Sequence, residues 1–164
     1  MNKPSHAQMI QPPNMLRLKV GGAFGGIDAS AIAKAEAALK NLSSQFGQWL
    51  QDELDKLDTA RSTIQIGGYT PAAAETLYMR AHDLKGLGAT YEYPLVTRLA
   101  GSLCRMMDDA DQRMKAPLFL IDAHIDAIKA VVRDKIQTDD HPTGRVLAVE
   151  LERQVAAHLA TLGR

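Results

Sequence analysis

The sequence predicts an all-α protein, folded as an antiparallel helical bundle. Leu, Ala, Ile and Val dominate its apolar fraction, while aromatics make up only 5% of the 164 residues, a composition that suits packed helices better than a sandwich. Apolar residues recur at spacings of three and four over most of the chain, the period of one helix face. The breaks between these runs are short and hold Pro, Gly or Asp, as connections between antiparallel neighbours do. A chain of this length fits one domain with a real core. The expected organisation is an irregular leader over 1–27, a helical bundle over 28–136, and a C-terminal helix within 137–164 that packs on or extends the bundle.

The leader holds Pro4, Pro12, Pro13 and the run Gly21-Gly22-Ala23-Phe24-Gly25-Gly26. Within it Met15 to Val20 alternates like a short strand without a partner. No Gly-Lys-Ser/Thr follows the glycines and their spacing misses the dinucleotide fingerprint, so a linker is the better reading than a phosphate loop. Helical periodicity begins after Asp28, a suitable N-cap. Ile32, Ala35, Leu39, Leu42, Phe46, Trp49 or Leu50, Leu54 and Leu57 fit either one bent helix of ~35 residues, about 50 Å long, or two helices. Gly47 weakens continuity, which favours two helices joined around Leu42 to Gln45. After the turn Ile66-Gly67-Gly68-Tyr69, Thr70-Pro71 supplies an N-cap and an N1 proline. The helix they start runs to about Ala89 with Leu77, Ala81, Leu84 and Gly88 inward. Tyr91-Glu92-Tyr93-Pro94 closes it and opens a helix with Leu95, Leu99, Leu103 and Met106. The polar run Asp108 to Gln112 reads as a solvated turn, since its acids lack the remaining ligands of a calcium loop. Pro117 starts a helix striped by Leu118, Ile121, Ile125, Ile128 and Val132. Past the break at Thr138 to Pro142, the last helix carries Leu147, Leu151, Val155, Leu159 and Leu162.

Bulk chemistry excludes several function classes. With 19 basic and 19 acidic residues the formal net charge is zero, which offers nucleic acid no basic face. Residues 1–27 carry Lys3, Arg17 and Lys19 with no acid, too sparse for a membrane or nucleic-acid arm. No apolar run approaches the ~18 residues of a membrane span, and the first residues lack the apolar core of a secretion signal. Cys104 is the only cysteine. It cannot form an intrachain disulfide, which fits a reducing, cytoplasmic setting, and its place on an apolar stripe reads as a buried, inert thiol.

The most telling stretch is His82-Asp83-Leu84-Lys85-Gly86-Leu87-Gly88-Ala89. Residues three and four apart share a helix face, so Lys85 and Gly86 lie directly beyond His82, with Ala89 two turns on. The inner stripe Leu77, Ala81, Leu84 and Gly88 puts His82 about 100° from Ala81, at the stripe's edge. Gly86 costs ~1 kcal/mol relative to Ala in a helix interior, and close approach by another molecule would explain it. A nucleophilic imidazole, a cation one turn on and bare backbone beside them suit receipt and surrender of a phosphoryl group. Tyr78 and Met79 would flank it with an aromatic and a thioether.

On these residues the chain resembles the histidine-containing phosphotransfer (HPt) family. There a bundle helix carries His, an apolar residue two on, Lys three on and Gly four on, with small residues after; here these are His82, Leu84, Lys85 and Gly86, then Gly88 and Ala89. The resemblance spans roughly Gln45 to Ile136, and where the family has a Gly-Ala turn this chain has Glu92-Tyr93-Pro94. It implies a four-helix HPt-like core with extra helices at both ends, acting as a monomer. His82 is then the phosphoacceptor, through its outer nitrogen Nε2, and Lys85 offsets phosphoryl charge. Tyr78, Met79, Gly86 and Ala89 form the patch for receiver domains of response regulators or hybrid kinases. No cofactor is expected on this chain, and Mg²⁺ belongs to the receiver.

Two other functions compete with that one: a receiver-binding adaptor without chemistry, and the dimeric phosphoacceptor module of a sensor kinase, whose His is followed by an acid as His82 is by Asp83. A plain helical scaffold is the blandest reading. The chain has no ATP-binding Gly-rich loop, so no kinase activity of its own is expected. His124, in the polar part of its helix, His141 in a loop and His158 beside the last stripe make no metal spacing and read as surface or core-edge residues.

Overall fold

The computed structural model describes residues 28–163, and the expected leader and its Met15–Val20 alternation lie outside them. The chain divides into two units at Lys40 and Asn41. The described part of the first is helical from Ala29 onward. Six helices follow one another among the described residues: α1 Ala29–Gly67, α2 Pro71–Leu87, α3 Pro94–Met106, α4 Ala110–Met114, α5 Leu118–Arg133 and α6 Pro142–Thr161. No strand occurs among the described residues, so the all-α expectation holds.

α1 corrects the expected junction at Leu42 to Gln45, because it runs unbroken through Ser43, Ser44 and Gly47. Nothing in that stretch removes a backbone donor as proline would. Gly47 sits where an added Cβ would meet only open space. Its propensity cost is therefore spread over a 39-residue helix and does not break it.

In the second unit, side-chain contacts give each helix its direction. Arg61 bridges Asp58 at 2.7 Å and Asp126 at 2.6 Å, and Lys129 bridges Asp58 at 3.0 Å, so α1 and α5 run antiparallel. Ser43 donates to Glu92 and the Phe46 and Trp49 rings pack on Tyr91, which sets residues 41–67 antiparallel to α2. α3 packs against α2, α5 and α6 and is the central helix. Leu50, Leu57, Leu77, Leu84, Leu95, Leu99, Leu103, Ile121, Ile125 and Ile128 are buried to within 2% in one cluster. Full burial of each such side chain stabilises by about 1.5–3 kcal/mol before entropy is charged.

Two polar features hold the outer elements. Arg98 of α3 donates through Nε and Nη2 to both carboxylate oxygens of Glu152 on α6, and through Nη1 to Asp139. The Leu95 amide donates to the Gln137 carbonyl at 2.9 Å. Together they tie α6 and its entry loop to α3. The expected solvated turn after Met106 is instead a short helix, α4. Asp109 caps it, with Oδ1 accepting from the Gln112 amide at 2.8 Å, so an aspartate run that looked like a helix stop also starts one.

Close helix approach needs glycine at two places. A Cβ on Gly88 would stand 2.8 Å from both the amide nitrogen and Oγ1 of Thr97. One on Gly144 would stand 2.8 Å from Leu95 Cδ2 and 3.1 Å from the Thr138 carbonyl. Gly88→Ala is therefore expected to destabilise by about 1–3 kcal/mol through overpacking. Gly47→Ala, with open space and helix propensity in its favour, should stabilise by up to about 1 kcal/mol. Urea denaturation of both variants checks the pair, and equal midpoints would refute the close α2–α3 contact.

Candidate functional site

α2 is started by Thr70, whose Oγ1 accepts from the Ala73 amide at 3.2 Å, with Pro71 at its first turn. Ala74, Leu77, Ala81 and Leu84 are all 0% exposed. At 100° per residue this buried stripe leaves His82 pointing outward, and His82 is exposed. Its ring makes no hydrogen bond among the described residues, and its one ring contact is Tyr78, centroid to centroid 6.1 Å at 41°.

Tyr78 is a braced wall. It is half-buried, its hydroxyl donates to Asp108 Oδ1 at 3.3 Å, and the Arg113 guanidinium lies 4.4 Å over its ring. Arg113 is itself held by the Met107 carbonyl at 3.0 Å, while its own carbonyl accepts from the Tyr69 hydroxyl at 2.7 Å. So α4, absent from the sequence expectation, fixes the aromatic flank of His82. The available signal was Asp109 as an N-cap, its carboxylate accepting from the Gln112 amide three residues on.

Lys85 is exposed one turn beyond His82. Its stem runs beside α3, where a Cβ on Gly101 would lie 4.0 Å from Lys85 Cγ. The adjacent charges Arg80 and Asp83 pair with each other at 3.3 Å. No carboxylate among the described residues forms an ion pair with Lys85, which leaves its ammonium available to an external anion. Gly86 is exposed and an added Cβ there would meet nothing within 4 Å. Ala89 is exposed too, and its amide donates to Thr97 Oγ1 at 2.8 Å. Met79, 49% exposed, lies on the flank away from α3, in a shallow groove with Glu75, Arg80 and Asp83.

The structure therefore brings His82, Lys85, Gly86, Ala89 and Tyr78 onto one surface and sets Met79 at its outer edge. It adds Gly101, a residue that sequence reasoning missed. Gly101 sits one turn after Thr97, and the Lys85 stem lies beside it, where a Cβ would make only ordinary contact at 4.0 Å. The loop beyond Ala89 closes through the Tyr93 amide donating to the Gly88 carbonyl at 2.8 Å. Glu92 takes a left-handed φ of 68° there, a conformation disfavoured for a residue with Cβ.

The other chemically active groups are structural. Cys104 is 4% exposed, and burial pushes its thiol up to about 11. His124, expected on a polar face, is 0% exposed. Its Nδ1 is 2.7 Å from the Leu120 carbonyl and its Nε2 is 3.0 Å from Ser102 Oγ. A carbonyl only accepts, so Nδ1 carries the proton and, in the neutral ring, Nε2 accepts from the Ser102 hydroxyl. His124 is thus a cross-link between α5 and α3. His141 caps α6 from an exposed position, and His158 is half-buried beside the last stripe. Among the described residues no three His, Cys, Asp or Glu side chains gather as a metal site, and no helix is long and apolar enough to cross a membrane. No protein-family model matches the chain, and no curated protein or solved structure matches it.

Burial lowers the His124 pKa below its ordinary value of 6.5, partly opposed by the Leu120 hydrogen bond. The folded state then holds this ring neutral at a pH where the unfolded chain takes a proton. Its stabilisation is complete above 6.5 and is lost as pH falls through that value toward the folded pKa. The urea midpoint should drop between about pH 7.5 and 5.5 in the wild type. In His124→Gln the drop should be clearly smaller. An unchanged drop would show that His124 is not its source.

Proposed function

We propose that this protein is a histidine phosphotransfer component of a multistep phosphorelay, with His82 as the phosphoacceptor. The observation that carries the reading is an exposed imidazole on a helix with a fully buried opposite stripe, with an ammonium one turn on that has no carboxylate partner among the described residues, and nothing within 4 Å of a Cβ on Gly86. The order α1, α2, α3, α5 around a core from a single chain supports the HPt-like arrangement that the resemblance implies.

The chemistry is a reversible exchange between His82 and a receiver aspartate. A lone pair on a neutral His82 nitrogen attacks the phosphorus of an aspartyl phosphate in line. The N–P bond forms as the P–O bond to the carboxylate breaks. The aspartate leaves as carboxylate, and the proton on the other ring nitrogen can pass to water. Attack by a second receiver's aspartate on phospho-His82 reverses these steps. Lys85 stabilises the charge on the phosphoryl oxygens as they move between the two macromolecules. The absence of side-chain bulk at Gly86 and Ala89 admits the receiver's active-site loops.

The adaptor reading would use the same surface with no bond made or broken, and the unpaired Lys85 favours chemistry over mere docking. The sensor-kinase reading requires a bundle shared between two copies. Here α2 is covered by helices of its own chain, which argues against that arrangement.

Incubation with phosphorylated receiver domains tests the proposal. Label should appear on His82 as an acid-labile, alkali-stable phosphoryl group and should be lost in His82→Gln. Lys85→Ala should slow transfer at least about tenfold. Gly86→Leu should keep or raise the melting temperature, since Leu is the better helix former and space is open, yet abolish receiver docking. Labelling of His82→Gln at the wild-type level would end the assignment. Receiver binding without transfer would establish the adaptor instead.

A further inference from the structure

The His82 ring can lean to either of two sides of α2, and the sides differ chemically. A helical side chain points back over the residues three and four before it, here Met79 and Tyr78. At about 100° per residue, Tyr78 lies about 40° and Lys85 about 60° to one side of His82, while Gly86 and Met79 lie by the same angles to the other. The first side faces α3, because Tyr78 donates to Asp108 and the Lys85 stem runs beside Gly101. The imidazole is on that side, against Tyr78 with 6.1 Å between ring centroids. Both directions use rotamers common in helices, so the backbone of α2 does not make this choice.

Tyr78 is held twice. Its hydroxyl donates to Asp108 Oδ1 at 3.3 Å, and the Arg113 guanidinium lies 4.4 Å over its ring, a favourable place for a cation. Arg113 is fixed in turn, with Nε donating to the Met107 carbonyl at 3.0 Å and Nη2 to the Asp108 carbonyl at 3.4 Å. The short helix that carries it is anchored on both sides. Gln112 Nε2 donates to the Arg105 carbonyl at 2.7 Å, and the Tyr69 hydroxyl donates to the Arg113 carbonyl at 2.7 Å. A lysine could serve one of those α3-end carbonyls, whereas a planar guanidinium serves both and covers an aromatic face as well. We propose that Arg113 is a positioning residue for His82: acting through Tyr78, it holds the imidazole on the α3 side of α2, the side of Lys85. Without that hold the ring divides its time with the Met79 side, away from the ammonium. The effect on transfer rests on the phosphotransfer reading, and the placement of the ring does not.

Nuclear Overhauser contacts measured on the full chain decide the placement. In the wild type the His82 ring protons should contact the Tyr78 ring and not the Met79 methyl. In Arg113→Gln, which keeps a donor for the Met107 carbonyl, the contacts to Tyr78 should weaken and contacts to the Met79 methyl should appear. Asp108→Ala removes the other hold on Tyr78 from an exposed position and should act in the same direction, so the placement is still read if Arg113→Gln fails to fold. With a phosphorylated receiver, the maximal transfer rate of either variant should fall roughly two- to tenfold, as the fraction of correctly placed rings falls. The half-saturating receiver concentration should stay at its wild-type value, a split that general loss of structure would not give. Wild-type contacts in both variants would overturn the inference, as would shifted contacts with transfer at the wild-type rate. Shifted contacts with no transfer even to the wild type would instead sink the phosphotransfer reading and leave the ring's placement by Arg113 standing.

Discussion

The buried stripe of α2 is the constraint on which the rest of this structure depends. Ala74, Leu77, Ala81 and Leu84 alternate small and large against the core, and all are fully buried. Gly88 then brings the end of the helix onto Thr97 of α3 at a distance that tolerates no side chain. Those contacts fix both the rotation and the height of α2. Rotation decides that His82 faces outward. Height decides that Lys85 lies beside Gly101 and that the Ala89 amide finds Thr97 Oγ1. A rotation of one residue, 100°, would place Asp83 in the position of His82 and bury the imidazole or the lysine stem.

The polar groups divide by what they hold. His124 and Ser102 satisfy each other inside the core, and removing either would strand a buried donor or acceptor at a cost of about 1–3 kcal/mol. The Arg98 network with Glu152 and Asp139 is partly solvated, so its two-pronged geometry positions α6 more than it stabilises it. The Asp108, Tyr78 and Arg113 group stiffens one edge of the candidate site from a helix only five residues long.

Periodicity made most of this legible in the sequence. The stripes of α2, α3, α5 and α6 largely fall where expected, except that Leu118, expected to open the α5 stripe, is 45% exposed and Leu120 is buried instead, and the outward position of His82 followed from Leu77, Ala81 and Leu84 alone. What periodicity could not supply was long-range context. Gly47 looks like a break until its surroundings prove empty. His124 looks polar until Ser102, 22 residues away, is seen to satisfy it. Asp109 reads as loop until its carboxylate is found capping a turn. The first two depend on a distant neighbour or on the absence of one, which local spacing does not write, whereas the Asp109 cap, accepting from the Gln112 amide three residues on, was a local signal outside the apolar period.

A site this open has a consequence for how any chemistry on it must work. In an enclosed active site, desolvation and preorganised dipoles lower the barrier. Here the imidazole is exposed, makes no hydrogen bond among the described residues, and has the exposed Lys85 ammonium one turn away. Such a group cannot by itself supply much rate enhancement. On the proposed reading, the metal ion, the in-line geometry and the exclusion of water all come from the receiver, and they form only when two surfaces meet. The same logic accounts for the glycine at position 86. A helix that had only to be stable would carry alanine there, whereas on the proposed reading a helix admitting a receiver's loops within contact distance of His82 would gain more from the missing methyl than it loses in propensity.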